Sequence, residues 1–502
     1  MDEISLILSK QNDNWRENCN IIFKNLIADY KGHVSTELYS DLLIYYAKFV
    51  GDYFQIPYFI YGTTYFEWLN YVDGLYEKAI FNLKGTSNVI KEGAFTFLRA
   101  VFLFDNRHFI EAGKYLADSY NILSNNSTIS LNYQKSFADV IYSQALYFEE
   151  INSLNTALDY YNKALDLRRS IAKSDSKRIV DVAKTLNNIG NLYKSLFNYD
   201  AAFILLKEST DILSSLNSLN YKDGDIKQYR IIAKRNLGIL LRLKTDCDAS
   251  QCGLSKLLDI VRNLVKKDPD KYLCDLAFLL LDVAEANRCF KLNAEIEKNY
   301  FEALDIFRML TKRNASKYSS RLAWTLNMYV LFYKEKSYVT NAITSFEESL
   351  TIYNKLEKGQ NGTYASSIAR TYALLADSNW RIKDYCKATD YIDKSLSLYK
   401  ALFNSNPRKY LFNLLWSLYF KTLIKADLKG EAVSINSLKS IRDQCLTAYY
   451  EKEYSQEFPP ELRLICDKLE SAVRDTTFEL HRDLLIELYI KDILRRTRRH
   501  LL

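Results

Sequence analysis

The sequence predicts an all-α protein built as a solenoid of about eight helical hairpins, with an atypical helical cap at each end. Proline occurs 5 times and glycine 14 times in 502 residues, against typical usages of about 5% and about 7%. Sandwiches and hairpin-rich barrels need more of these turn formers. With 48% hydrophobic and 26% charged residues, the protein also lacks the composition of a disordered one. The second observation is an internal repeat of 45–46 residues.

The repeat is clearest in the C-terminal half of the sequence. A tyrosine recurs every 46 residues, at Tyr272, Tyr318, Tyr364 and Tyr410. A leucine upstream of it has the same step, at Leu258, Leu304, Leu350 and Leu396. A fixed period of this length is typical of stacked repeats, because one hairpin cannot bury its own apolar face.

Two columns of small residues extend the repeat toward the N-terminus. The first comprises Ala100, Ala145, Gly190, Gly238, Ala284, Val330 and Ala376. The second, twelve residues later, comprises Ala112, Ala157, Ala202, Ser250, Ile296, Ala342 and Ala388. Small side chains let two antiparallel helices approach closely and admit a neighbouring aromatic ring. Each unit is therefore predicted to be a helix, a short turn and a second helix, with Tyr161, Tyr300 and Phe346 filling the space between them.

The motif LNNIGNLY at 186–193, followed by YDAA at 199–202, resembles the tetratricopeptide repeat (TPR) in the long form of kinesin light chains and many bacterial sensor proteins. The likeness covers roughly residues 92–450. The period of 45–46 residues exceeds the usual length of about 34, which implies longer helices. The resemblance implies a right-handed α-solenoid and a protein-binding adaptor or sensor.

Residues 1–91 fall outside the repeat register and are predicted to form an aromatic-rich helical N-terminal cap. Between Tyr45 and Phe81, 14 of 37 residues are aromatic. In the first interpretation these rings fill the core of the cap. In the second they form a platform for a partner peptide or for stacked bases. A third leaves an unrecognised activity in this segment.

The remaining sequence divides into two further predicted segments. Residues 92–450 are the TPR-like array, and residues 451–502 are capping helices with a basic tail. The arginines of the tail are Arg495, Arg496, Arg498 and Arg499. They suit a solvated helix end, since cations are favoured there. The alternative is a contact with an acidic partner or with nucleic acid.

The search for catalytic and metal-binding motifs is negative. No glycine-rich phosphate loop or dinucleotide fingerprint is present. None of the four histidines has another histidine or a cysteine at metal-ligand spacing, and Cys247 and Cys252 lack a second pair to complete a zinc site. We therefore expect no enzymatic activity, no metal and no cofactor.

The resemblance implies that the first helix of each hairpin lines a concave groove. Basic residues, and then a tryptophan, stand four positions after the first small column, at Lys194, Arg242, Arg288, Lys334 and Trp380. Other candidate groove residues are Asn187, Arg235 and Asn327, three positions before that column, and Asn191, one position after it. A basic ladder suits an extended anionic ligand, and amides can pair with a peptide backbone. The alternative is a polar, solvated inner face.

The favoured function is a non-enzymatic interaction scaffold that binds an extended, acidic segment of a partner protein. The alternative is a nucleic-acid-associated subunit that uses the basic ladder, the tyrosines and the arginine-rich tail. A net charge of +7 permits either partner. No secretory signal follows Met1, and the longest strongly apolar stretch, 276–284, is too short to span a bilayer. We expect a cytoplasmic protein without a membrane partner.

Overall fold

The computed structural model describes residues 15–53 and 65–430, apart from 85, 87, 107, 125–129, 152, 197, 217–222, 245, 288–289, 291, 329–338 and 359–361, together with 440, 443, 444 and 447. These residues carry eighteen α-helices, one 3₁₀ turn at Ser176–Arg178, and no strand. The protein divides into two compact units, Met1–Thr185 and Leu186–Leu502. The predicted capping segment 451–502 lies outside the described residues, and so do its four arginines.

Seven helices lie in the first unit: α1 (Trp15–Tyr30), α2 (Thr36–Tyr53), α3 (Tyr65–Leu83), α4 (Val89–Asp105), α5 (Phe109–Ser124), α6 (Leu131–Glu150) and α7 (Leu154–Ser174). The unit boundary falls inside α8 (Ile179–Ser195). Ten helices follow: α9 (Tyr199–Ser215), α10 (Asp223–Leu243), α11 (Cys247–Lys267), α12 (Pro269–Asn287), α13 (Asn293–Arg313), α14 (Ala315–Asn327), α15 (Val339–Glu357), α16 (Ala365–Arg381), α17 (Tyr385–Ser405) and α18 (Pro407–Lys429).

Consecutive helices form hairpins, and within each unit the hairpins pack against their neighbours. Seven hairpins run from α4–α5 to α16–α17 in the described range, and α18 stands where the first helix of an eighth would begin. The predicted all-α class and the stacked hairpins are confirmed. Within the described helices, none combines the length and the apolar character that a bilayer span needs.

The two columns of small residues mark where the paired helices cross. Every described member of both columns is buried. A Cβ atom added to Gly190 would lie 2.7 Å from Leu206 Cγ, and one added to Gly238 would lie 2.7 Å from Leu254 Cδ2. The aromatic residues that were predicted to use this space, Tyr161, Tyr300 and Phe346, have 0% exposed surface. Close helix approach therefore explains the small residues.

A hydrogen bond that the sequence did not reveal recurs within the hairpins. A serine on the second helix donates from Oγ to a backbone carbonyl of the first helix, 26 residues earlier and 2.8 Å away. The three pairs are Ser119 with Gly93, Ser349 with Ala323, and Ser395 with Ala369. All three serines have 0% exposed surface, so the bond satisfies a hydroxyl in the hairpin core.

The first helices begin at polar capping residues. Asp268 Oδ1 accepts from the backbone N–H of Lys271 at 3.2 Å, and Asn314 and Asn406 make the equivalent bond at 3.1 and 3.0 Å. These residues satisfy backbone donors that the helix itself leaves open. A proline directly follows both Asp268 and Asn406, at the first helical position, where its missing N–H does no harm. Both residue pairs therefore mark the start of a first helix.

The aromatic segment between 45 and 81 is partly core and partly surface where it is described. Tyr46, Phe49 and Tyr76 are buried. Tyr46 stacks on Phe23 at 5.4 Å, and its hydroxyl donates to Asn20 Oδ1 at 2.7 Å. Three other rings are about half exposed or more: Tyr45, Tyr71 and Phe81. Residues 54–64 lie outside the described range, and the predicted boundary at 91 stays a prediction.

Candidate interaction surface on the first helices

In the second unit, polar side chains connect the first helix of one repeat with the first helix of the next. We call the residues that make these contacts on α8, α10, α12, α14, α16 and α18, together with the polar side chains beside them on the same helices, the first-helix surface. Four of the bonds join residues 47 positions apart: Gln228 with Asp275, Arg235 with Asp282, Cys274 with Arg321, and Trp380 with Asp427. The repeat period is 46, so consecutive first helices are offset by one residue in register.

Arg235, a predicted groove residue, is held by an acid of the next repeat. Its Nε donates to Asp282 Oδ2 at 2.6 Å, and the two side chains are 10% and 1% exposed. Its guanidinium carbon lies 5.5 Å from the centre of the Phe278 ring. A guanidinium this deeply buried needs a carboxylate, because an unpaired charge away from water is very costly.

Arg242, a rung of the predicted basic ladder, is paired in the same way. Its Nη1 lies 3.2 Å from Glu285 Oε1, and the side chains are 15% and 5% exposed. The ladder is therefore not a row of bare positive charges where it is described. Its next two predicted rungs, Arg288 and Lys334, lie outside the described residues.

The predicted groove residues on α8 also have partners within the protein. Lys194 Nζ donates to Asn191 Oδ1 at 2.6 Å. Asn187 Oδ1 accepts from Asn236 Nδ2 of the next first helix at 2.9 Å, while its own Nδ2 donates to Asn188 Oδ1 at 3.3 Å. The structure thus brings these three predicted residues to one surface, with amide groups already oriented by hydrogen bonds.

Asn327 has one bonded and one unbonded amide atom. Its Nδ2 donates to Thr371 Oγ1 of the next first helix at 2.9 Å. Its Oδ1 is buried and has no hydrogen-bond partner among the described residues, and the same holds for Nε1 of Trp324, one turn earlier on α14. Both residues are less than one-tenth exposed. Buried polar atoms without partners are rare in proteins, and two of them lie one turn apart on this part of α14.

Trp380, the last predicted groove residue, is not an open stacking ring. Its Nε1 donates to Asp427 Oδ2 at 2.6 Å, and its ring packs edge-on against Phe420 with the centroids 5.8 Å apart. The tryptophan is buried. Trp380 therefore fixes α16 against α18.

Sequence reasoning missed two columns of this surface that share the 46-residue step. One contains Phe278, Trp324, Arg370 and Trp416, and the other contains Asp275, Arg321, Ser367 and Asn413. The rings of Phe278 and Trp324 are in contact, with centroids 5.7 Å apart. The repeat period alone predicts these columns, whereas the likeness to known repeats points to other positions for the groove.

Two titratable groups on α12 have shifted pKa values. Burial raises the pKa of Asp275, although Arg235 and Arg321 both favour its charged form. Burial likewise raises the pKa of the Cys274 thiol, against the opposing field of Arg321. The thiol is therefore neutral at pH 7, since its unperturbed pKa is already about 8.5.

Comparison with known proteins gives one family match. Residues 182–216 match the family model of the tetratricopeptide repeat. No curated relative matches the sequence.

Several solved structures are similar in fold. The apo quorum sensor NprR from B. thuringiensis is 14% identical; the match covers 79% of this protein and 97% of that one, with a TM-score of 0.47. The Rap conjugation gene regulator of the plasmid pLS20, in complex with the Phr* peptide, is 14% identical, with 76% and 98% covered and a TM-score of 0.39. BtubC from P. vanneervenii is 19% identical, with 50% and 92% covered and a TM-score of 0.40.

Proposed function

Because the protein is a TPR-like helical repeat protein, we propose that it is a non-enzymatic protein–protein interaction scaffold, an adaptor or sensor. Its first-helix surface binds an extended, acidic segment of a partner protein. Stacked repeats present extended surfaces made of rigid elements, and such surfaces are what these architectures use for binding.

The observation that carries this proposal is the set of bonds between consecutive first helices. They fix polar and aromatic side chains on four successive first helices, α10 to α16, before any ligand arrives. A surface that is ordered in advance loses less conformational entropy on binding. This kind of order suits recognition of a segment that runs along several repeats.

The proposed contacts are assigned by the position and the chemistry of the side chains on this surface. Arg235 uses Nε for Asp282, and no described residue accepts from its two Nη groups. Lys194 and Asn191 lie together on α8, at an edge of the surface where both are only half-buried. In the proposal, these side chains contact the partner, whereas Arg242, Asn187 and Trp380 chiefly position the helices.

A native pull-down with mass spectrometry, with and without nuclease, tests the proposal. We expect a partner protein that is retained after nuclease treatment, because the segment is recognised by a protein surface. If nuclease releases all bound material, the nucleic-acid alternative is correct instead. Steep, log-linear weakening of binding with salt would support the same conclusion.

Matched variants locate the binding face. Lys194→Gln removes one charge from the first-helix surface. Arg308→Gln removes one charge from the second helix α13, where Arg308 is 45% exposed and pairs with Glu348. We expect the first variant to lower partner capture and the second to leave it unchanged; equal capture by both would contradict the assigned face.

A further inference from the structure

Arg321 on α14 has only a weak hydrogen-bond partner on the first-helix surface. Its Nη1 donates to the Cys274 sulfur at 3.3 Å. A thiol is a weak acceptor, and no described residue places a carboxylate within ion-pair distance of Arg321. The arginine is half-buried, so the guanidinium has lost part of its hydration without gaining an acid.

Each of three other arginines on the first helices has a carboxylate partner. Arg235 forms an ion pair with Asp282 at 2.6 Å, and Arg242 forms one with Glu285 at 3.2 Å. Arg381 forms an ion pair with Asp377 of the same helix, α16, at 2.8 Å. Carboxylates of the first helices pair with these three arginines, whereas Arg321 contacts a thiol, so its guanidinium can still donate to a carboxylate of another molecule.

Aromatic rings hold the Arg321 guanidinium in position. Its central carbon lies 5.3 Å from the centre of the Tyr318 ring and 6.0 Å from that of Phe278. An arginine stacked on rings keeps its in-plane N–H groups for bidentate bonds with a carboxylate. The second guanidinium at this place, Arg235, is within 5.5 Å of the same Phe278 ring.

Asp275 is the nearby carboxyl on α12, but it lies outside ion-pair distance of Arg321. It interacts electrostatically with both Arg235 and Arg321, but its hydrogen bond comes from Gln228 Nε2 at 3.4 Å. Burial raises the pKa of this carboxyl, against the opposing effect of the two arginines. One turn further on α14, the buried Nε1 of Trp324 is a donor that no described residue uses.

We infer that Arg321, beside the rings of Tyr318 and Phe278, is a carboxylate-binding residue that takes an acidic group of the bound segment. The inference rests on the proposed function and names the chemistry of one contact within it. The carboxylate comes either from an Asp or Glu residue or from the C-terminus of the bound polypeptide.

Isothermal titration calorimetry with three acetylated hexapeptides tests this inference and distinguishes the two sources. Hexaglutamate amide offers the carboxylates of its glutamates only, hexaglutamine with a free C-terminus offers the terminal carboxylate only, and hexaglutamine amide offers neither. Arg321→Met keeps most of the stem and removes the guanidinium. Arg308→Met on α13 is the control, because it removes an exposed guanidinium from a second helix.

We expect one or both carboxylate peptides to bind the unmodified protein more tightly than hexaglutamine amide. Arg321→Met should weaken that binding at least about tenfold, the usual size for a charge-assisted bond, whereas Arg308→Met should change it less than about twofold. Cys274→Asp gives Arg321 an internal carboxylate and should weaken binding similarly, which keeps the test valid if Arg321→Met fails to fold.

The inference is wrong if no carboxylate peptide binds, if hexaglutamine amide binds equally well, or if Arg321→Met and Arg308→Met have equal effects. These outcomes are separate from failure of the proposed function. A protein partner that is captured without any dependence on Arg321 overturns the inference alone, whereas release of all material by nuclease overturns the proposed function.

Discussion

Arg235 donates from Nε to Asp282 Oδ2 across 2.6 Å, and this bond joins α10 to α12, the first helices of consecutive repeats. The two side chains are 10% and 1% exposed. A buried pair of this kind gains little over an apolar pair of the same volume, but the loss of one partner leaves a charge away from water. The pair therefore makes the stacking of these repeats depend on both residues.

Replacement of Asp282 by Asn should destabilise the second unit by about 3 kcal/mol, because it takes the hydrogen-bonded carboxylate away from the buried Arg235 charge. The double variant Arg235→Met with Asp282→Leu should recover much of that loss. Urea unfolding followed by circular dichroism at 222 nm measures both. The exposed pair Arg308–Glu348 supplies the control, where Glu348→Gln should change stability by less than about 1 kcal/mol. Equal effects at the two pairs would contradict the importance given to burial.

Gly190→Ala should destabilise the protein by about 1–3 kcal/mol, because the new methyl group would meet Leu206 Cγ at 2.7 Å in a packed helix crossing. Gly253→Ala is the matched substitution in α11, where nothing lies within 4 Å of the added Cβ. There the better helix propensity of alanine should stabilise by about 0.5–1 kcal/mol. The thermal unfolding temperatures of the two variants should shift in opposite directions. A Gly190→Ala variant with a higher unfolding temperature would refute the close approach of these helices.

Ser349→Ala should lower stability by about 1 kcal/mol, since it removes the hydrogen bond from Oγ to the Ala323 carbonyl. The loss stays small because the alanine leaves no hydroxyl to satisfy, and Ala303 occupies the equivalent buried position one repeat earlier. Ser405→Ala removes an exposed bond within α17 and should have an effect within about 0.5 kcal/mol. The denaturant midpoints of unfolding measure this difference between the two variants. Indistinguishable midpoints would show that the recurring serine bond does not stabilise the hairpin.

Asp275→Asn should stabilise the protein at neutral pH, because burial raises the pKa of Asp275. A carboxyl whose pKa is higher in the folded state favours folding while protonated, and this contribution is lost as pH rises through the folded pKa. The advantage of the variant should therefore be absent below about pH 4, near the unfolded value, and grow above it. Unfolding of both proteins across pH 3–7 measures the difference. A variant that is less stable at pH 7 than at pH 4, relative to the unmodified protein, would show that the Arg235 and Arg321 charges dominate.

The sequence was sufficient to predict the repeat, because small residues such as Gly190 and Ala202 must recur wherever helices cross closely. It was not sufficient to predict the register between consecutive first helices. Arg235 and Asp282 are 47 residues apart, one more than the period, and that offset arises from how the helices stack. Without it, the sequence predicts only that Arg242 belongs to a basic ladder, and the pairing with Glu285 of the next repeat does not follow. Arg321 lies in a column that the 46-residue period predicts, but its contact with Cys274, 47 residues earlier, does not follow from that period.

Hydrogen exchange of the complex with a captured partner tests the central claim, that the first helices form the binding face. Mass spectrometry compares exchange in the free protein and in the complex, peptide by peptide. Binding should slow amide exchange in α10, α12 and α14 more than in the second helices α11 and α13, because ligand contact suppresses local opening. Protection confined to α11 and α13, with none on the first helices, would contradict the account.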